Sequence, residues 1–220
     1  MPTMPTTPSA FFFDLDHTLL KVNSSFSFGK YLYRQGFFST VDMCKLAGLY
    51  ALHKVNLLSI SSLHHKIFAR LFLGRSSQEF IQHAEAFIEE FLPLIANPLV
   101  IQELEKARNL GGFVAILSSS PSFLVQIIAK KINVTNWEAS HYSLDENEHF
   151  SHISSLLLGH DKAEFVRIFA KEFAISLENI TAYTDSFSDL PFLESAGNKV
   201  AVNPDRKLRA ISVQKNWKII

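Results

Sequence analysis

The chain has 220 residues, enough to bury a sizeable core in one domain with an insertion, and Lys plus Arg equals Asp plus Glu at 21 each. That balance gives no overall basic field, so nucleic acid is not an expected partner, and the longest apolar stretches, such as Leu46 to Leu52, are too short for stable membrane insertion. The single cysteine, Cys44, cannot close an internal disulfide and has no Cys partners for zinc; it reads as a small buried hydrophobe in a chain suited to the cytoplasmic, reducing compartment.

Residues 1–9, rich in Pro and Thr, have neither a basic n-region nor an apolar h-region, and read as a disordered lead-in rather than a secretory signal. Ala10 to Phe13 is too short for an ordinary helix and rich in a strong strand former, which points to a strand buried on both faces of a parallel sheet. It ends in Asp14, with Asp16 just beyond. Ligands bind at the carboxyl ends of strands in open α/β sheets, so the two acids are candidates for function as well as for a simple turn. The pattern then becomes helical. Phe26, Phe28, Tyr31, Leu32 and Phe37 to Phe38 form one apolar group and Met43 to Leu58 another, while Leu63, Ile67, Phe68, Leu71 and Phe72 recur near helical spacing. Ser76-Ser77 followed by Glu79 opens a further helix with Phe80, Ala84, Phe87, Ile88 and Phe91 on one side. Three to five helices are expected in an inserted module.

Pro93 to Pro98 punctuates the chain, with Asn97 as N-cap and Pro98 as first residue of a helix reaching Leu110, where Gly111-Gly112 stops it. Phe113 to Leu117 repeats the opening pattern, an apolar run ending in Ser118-Ser119-Ser120 and Pro121. Ser120 is expected to cap a helix through Ile132, leaving Ser118 between a strand end and a helix N-terminus, where an anion is welcome. A hairpin is expected from Ala139 toward Leu158 around Asp145-Glu146-Asn147. Lys162 falls in the first turn of the next helix, where a cation opposes the helix dipole unless it has an anionic partner. Ile180 to Thr184 is a further strand ending in Asp185, with Asp189 four residues on and Ser188 as cap of a short helix ended by Gly197; Lys199 to Val202 is another strand. Strands alternating with helices imply right-handed crossovers and a parallel sheet flanked by helices.

Three strand ends thus carry Asp14 with Asp16, Ser118, and Asp185 with Asp189, while Lys162 opens a helix. Carboxylates gathered at one sheet edge repel unless a cation neutralises them, and oxygen ligands select a hard ion such as Mg2+, which shares its sphere with substrate phosphate.

These residues resemble the motifs of the haloacid dehalogenase (HAD) superfamily, in the branch that includes phosphoserine phosphatase. Asp14, Asp16 and Thr18 match its first motif, Ser118 the second, Lys162 the third, and Asp185 with Asp189 the fourth. The resemblance implies a HAD-like Rossmannoid core formed by residues 10–20 and 94–220, with a helical cap over 21–93 inserted after the first strand. It also implies a magnesium-dependent phosphomonoesterase acting on a small phosphorylated metabolite such as phosphoserine or another amino-alcohol phosphate. In that scheme Asp14 is the nucleophile that forms an aspartyl-phosphate and Asp16 is the acid/base. Ser118, Lys162, Thr18 and Ser119 hold phosphate. Asp14, Asp16 (through its main-chain carbonyl), Asp185 and Asp189 serve the metal. Asn23, Ser24, Ser25 and Arg34 are candidate substrate contacts in the cap. Thr184 departs from the family pattern, which usually has Gly there. A lipid-phosphate phosphatase and a catalytically silent binding module are the alternatives, and a homodimer is compatible with the chain.

Overall fold

The computed structural model describes residues 9–55 and 57–220. The lead-in expected at 1–9 therefore lies outside the described residues except for Ser9, whose carbonyl accepts a hydrogen bond from Phe113 N at 2.9 Å and is tied to the sheet.

Strand β1 (Ala10–Asp14) runs into a tight turn over Leu15–Leu19, and four helices follow among the described residues: α1 (Ser24–Arg34), α2 (Thr40–Lys54), α3 (Ile60–Leu71) and α4 (Ser77–Ile95). Next come α5 (Pro98–Asn109), β2 (Phe113–Pro121), α6 (Ser122–Lys131), β3 (Asn136–Leu144), β4 (Phe150–Ser155) and α7 (Gly159–Glu172). The chain closes with β5 (Ile180–Thr184), α8 (Leu190–Glu194), β6 (Asn198–Ala201), α9 (Arg206–Gln214) and β7 (Lys218–Ile219). The strands form one sheet of order β4-β3-β2-β1-β5-β6-β7, parallel throughout except for the β3–β4 hairpin at one edge. Strand β1 is therefore central, between β2 and β5.

The period of two along β1 explains its burial. Phe13 stacks on Tyr183 at 4.2 Å within a cluster that includes α1, α4 and α6, while Phe12 meets Phe169 of α7 edge-on at 5.2 Å in a second cluster on the opposite face. Both rings are fully buried, and each contributes on the order of 1.5–3 kcal/mol by leaving water.

The four consecutive helices leave and re-enter the sheet at one place. Lys21 N donates to Ile95 O at 2.7 Å, Leu20 and Ala96 form an antiparallel bridge, and Asn97 N donates to Leu19 O at 2.8 Å. They are also tied to the sheet edge: Gly74 N donates to Phe150 O, and Ser77 N to Glu148 O. Phe72 and Phe80 pack on Phe123 and Phe150, so this helical segment and the sheet share one hydrophobic cluster.

Several local expectations are corrected. Helix α4 continues through Pro93 to Ile95, with the proline in its last turn. Asn97 sits at the cap position of α5, yet its Nδ2 donates to Thr18 O at 3.1 Å and does not cap. Strand β2 extends to Pro121, so Ser120 belongs to the strand and α6 starts at Ser122. The turn after β5 is capped by Ser186, whose Oγ accepts from Ser188 N. Cys44 is exposed on α2 and not buried. Helix α9 and strand β7 had no sequence expectation.

Candidate active site

Register places the chemistry. Asp14 pairs with Leu117 of β2, so Ser118 lies one step beyond, and Phe13 pairs with Tyr183 of β5, so Thr184 and Asp185 follow at the same edge. The first turn of α7 brings Lys162 into that edge. Its Nζ donates to Asp14 Oδ1 at 2.5 Å and to Asp189 Oδ2 at 2.6 Å, with the lysine only 2 % exposed. Thr184 Oγ1 donates to the same Asp189 Oδ2 at 3.2 Å, and Thr18 Oγ1 to Asp185 Oδ1 at 3.4 Å.

One ammonium thus serves a group of buried acids. Burial pushes the Asp14 carboxyl well above the usual range, Lys162 pulls it down, and the charges of Asp189 and Asp185 push it up again. Asp185 rises to about 6, chiefly by burial, with His17 beside it in opposition. Burial alone would lower Lys162; Asp14 and Asp189 outweigh it and hold the side chain as an ammonium.

Asp16 takes a different direction from Asp14. It keeps extended backbone angles, and His17 after it adopts the left-handed region at φ 59°, an uncommon state for a non-glycine residue. Its Oδ1 accepts from Ser24 N at 2.7 Å, and its Oδ2 accepts from Asn23 Nδ2 at 3.1 Å and from Ser120 Oγ at 2.8 Å. Ser24 and Ser25 reach Ser120 Oγ at 3.1 and 2.7 Å.

The chain matches the haloacid dehalogenase-like hydrolase family over residues 11–194. It belongs to that family. A phosphoserine phosphatase of Mycobacterium tuberculosis is 30% identical over 221 residues, covering 96% of this chain and 70% of that protein. A histidinol-phosphatase of Neisseria meningitidis serogroup C is 22% identical, covering 94% and 96%. A solved protein of unknown function from Bordetella pertussis superposes with a TM-score of 0.87 at 22% identity, covering 98% and 99%. A phosphoserine phosphatase solved as a phospho-aspartyl intermediate analogue gives a TM-score of 0.70 at 16% identity, covering 97% and 93%. The chain is a hydrolase of the phosphatase branch of the family.

In this haloacid dehalogenase-like hydrolase the sheet edge gathers Asp14, Thr18, Ser118, Lys162, Asp185 and Asp189. Ser119 follows Ser118, with its carbonyl tied to Ser140 Oγ at 2.8 Å. Of the candidate substrate contacts, Asn23 and Ser24 hydrogen-bond the Asp16 carboxylate and Ser25 hydrogen-bonds Ser120 beside it. Arg34 is not brought there: it is exposed at the far end of α1, about 15 Å of helix from Ser24.

Ser120 is the residue that sequence reasoning misplaced. Strand β2 extends to Pro121 with a shift of register between Ser118 and Pro121, and Ser120 N donates to Ser118 Oγ at 3.1 Å, which keeps the two serines together. Gly159 was also missed. A Cβ there would lie 2.3 Å from Ser188 O and 3.1 Å from Asp189 Cα, so only glycine lets α7 approach the Asp189 turn and deliver Lys162.

The donor chemistry fits a hard divalent cation. Carboxylate, hydroxyl and carbonyl oxygens surround the edge, and burial with mutual repulsion raises Asp14 and Asp185, a strain that positive charge relieves. Among the described residues no three His, Cys, Asp or Glu side chains already stand as a ligand set. Asp189 is engaged by Lys162 and Thr184, and the Asp16 carboxylate is turned toward Asn23 and Ser24.

Proposed function

We propose that this chain hydrolyses a small phosphorylated metabolite, of the phosphoserine or amino-alcohol phosphate class, with Mg2+ and through an aspartyl-phosphate on Asp14. The observation that carries this reading is the convergence of Asp14, Ser118, Lys162 and Asp185 from separate elements onto one edge, with Lys162 Nζ 2.5 Å from Asp14 Oδ1. Two relatives are named for phosphates of this class, phosphoserine and histidinol phosphate, which supports the substrate choice.

In this scheme an Asp14 carboxylate oxygen attacks phosphorus in line as the ester oxygen leaves, splitting the hydrolysis into two displacements. Asp16, steadied by Asn23, Ser24 and Ser120, gives a proton to the leaving alkoxide and then takes one from the attacking water. Lys162 and the hydroxyls of Ser118, Ser119 and Thr18 hold the phosphoryl oxygens. Asp14, the Asp16 carbonyl and Asp185 hold the metal, with Asp189 positioning Lys162 and supporting the metal site. Bound Mg2+ neutralises the charge that develops on the transferring group. Residues 21–93 act as the cap that shields the reaction from bulk water.

The test is a panel containing phosphoserine, histidinol phosphate, a lysophosphatidate and an aryl phosphate, assayed with and without Mg2+. Turnover of the amino-alcohol members in preference to lysophosphatidate supports the proposal, with the aryl phosphate as the generic substrate; preference for lysophosphatidate favours the lipid alternative; no turnover overturns the enzyme reading. Asp14→Asn should lower kcat by about a thousandfold or more. Independently of turnover, Mg2+ should raise the melting temperature of the wild type, as any ligand bound only to the folded state does, and should not raise that of Asp185→Asn.

A further inference from the structure

The chain is neutral overall, but its charge is not evenly spread. Residues 21–78, which hold α1, α2 and α3 and only the start of α4, contain eight Lys and Arg against a single acid, Asp42, a net charge of +7 against −7 for the remainder. That acid is committed internally, to Ser39 and to Arg70 at 2.8 Å.

The same segment exposes apolar side chains on one helix face. In α2 the inward side presents Met43 and Leu46 to the core cluster. The outward stripe, at helical spacing, runs Val41, Cys44, Lys45, Gly48, Leu52, Val55, all exposed, with Val41 at 58 % and Val55 at 63 %. A helix apolar on both sides ordinarily has both sides covered. The stripe continues into the turn before α3, where Leu57 is 75 % exposed. Leu57 N donates to Leu52 O at 2.9 Å, and His53 Nδ1 contacts Leu58 O at 2.9 Å. Phe26 of α1, 58 % exposed, stacks beside Tyr50 and lies under Lys30 Nζ at 5.2 Å, which extends the apolar surface toward the end of α1 that holds Asp16.

We propose that this face docks on an anionic lipid bilayer. Exposed aliphatic and aromatic tips with Lys30 and Lys45 among them, in a stretch almost free of acid, match a negatively charged surface that has an apolar interior just beneath it. Nucleic acid shares the charge preference but gives Leu57 and Val55 nothing to bury into. A second copy of this chain offers the apolar contact but sets two basic faces against each other. The inference stands apart from the identity of the substrate.

The experiment is co-sedimentation of the full chain with vesicles of phosphatidylcholine alone and of equimolar phosphatidylcholine and phosphatidylglycerol. Binding to the mixed vesicles only, weakened as salt rises to about 0.5 M, is expected. Lys30→Glu with Lys45→Glu should lower the partition coefficient by about tenfold or more, and Val55→Ser with Leu57→Ser should lower it as well, both without loss of the melting transition. Absence of binding to either vesicle overturns the proposal, as does equal binding by wild type and both variants. A self-associated species in sedimentation velocity that Val55→Ser with Leu57→Ser dissolves also overturns it, by assigning the face to a second copy.

Discussion

At the scale of single residues, the two acids of the first motif share a turn and differ in their neighbours. Asp14 faces Lys162 and the other acids; Asp16 faces hydroxyls and amides from Asn23, Ser24 and Ser120. Removing Lys162 leaves Asp14 and Asp189 buried together without a cation, so Lys162→Met should destabilise the protein by about 3–5 kcal/mol in denaturant unfolding, beyond what loss of packing explains. Lys162→Arg is not expected to restore it, since a planar guanidinium does not occupy a site shaped around a point charge. Ser120→Ala tests the support of Asp16. If Ser120 positions the acid, kcat should fall about tenfold for an alkyl phosphate, whose leaving group needs a proton, and much less for an aryl phosphate, which leaves as a stable anion. Equal losses on both substrates would make the role merely structural. The acids, Ser118 and Lys162 were legible because each ends an apolar run or opens a patterned helix. Ser120 was not, because serine followed by proline is equally good chemistry for a helix start, and the competing strand extension depends on a neighbour, β3, that is distant in sequence.

At the scale of elements, packing decided what propensity left open. The alternation of strands and helices was readable from β1 to β6 because buried parallel strands are apolar runs and their crossover helices keep one apolar stripe. Helix α9 and strand β7 escaped notice because a strand of two residues, Lys218–Ile219, gives no pattern of its own and exists by pairing with β6. Proline at 93 marks a stop two residues early: α4 runs on to Ile95 and gives up the one backbone hydrogen bond that proline cannot donate. The junction of α7 with the Asp189 turn depends on Gly159. Gly159→Ala should cost on the order of 1–3 kcal/mol through the clash with Ser188 O and should lower kcat together with stability, measured by thermal melting and initial rates. On α3, burial holds the half-buried His64 down at about 4, with His65 and His53 adding repulsion. Its folded value lies below its usual 6.5, so the unfolded chain binds a proton that the folded chain refuses. Stability from this group is complete above about pH 6.5 and is lost progressively as pH falls toward 4. His64→Gln should flatten that acid limb of a melting-temperature profile.

At the scale of the whole molecule, the helical segment is fastened twice, at Lys21–Ile95 and along Gly74–Ser77 to the β3–β4 hairpin, and shares a hydrophobic cluster with the sheet. Of the four helices, α2 gives that cluster only the partly buried Met43 and Leu46, while α1, α3 and α4 each give it buried side chains. The central position of β1 has a further consequence, for the order in which the protein comes into being. Ala10 pairs with Phe113 on one side and with Ile180 on the other, and β1 has no neighbouring strand close in sequence. Closing such loops costs entropy before any sheet contact repays it, which places the completion of β1 late in folding. During synthesis Asp14 precedes its partners: it acquires Lys162 only when α7 has been made, and Asp185 only after β5. Asp14 therefore waits through the making of β2 to β5 for the groups that surround it, and the sheet edge is complete only after β5 has joined β1.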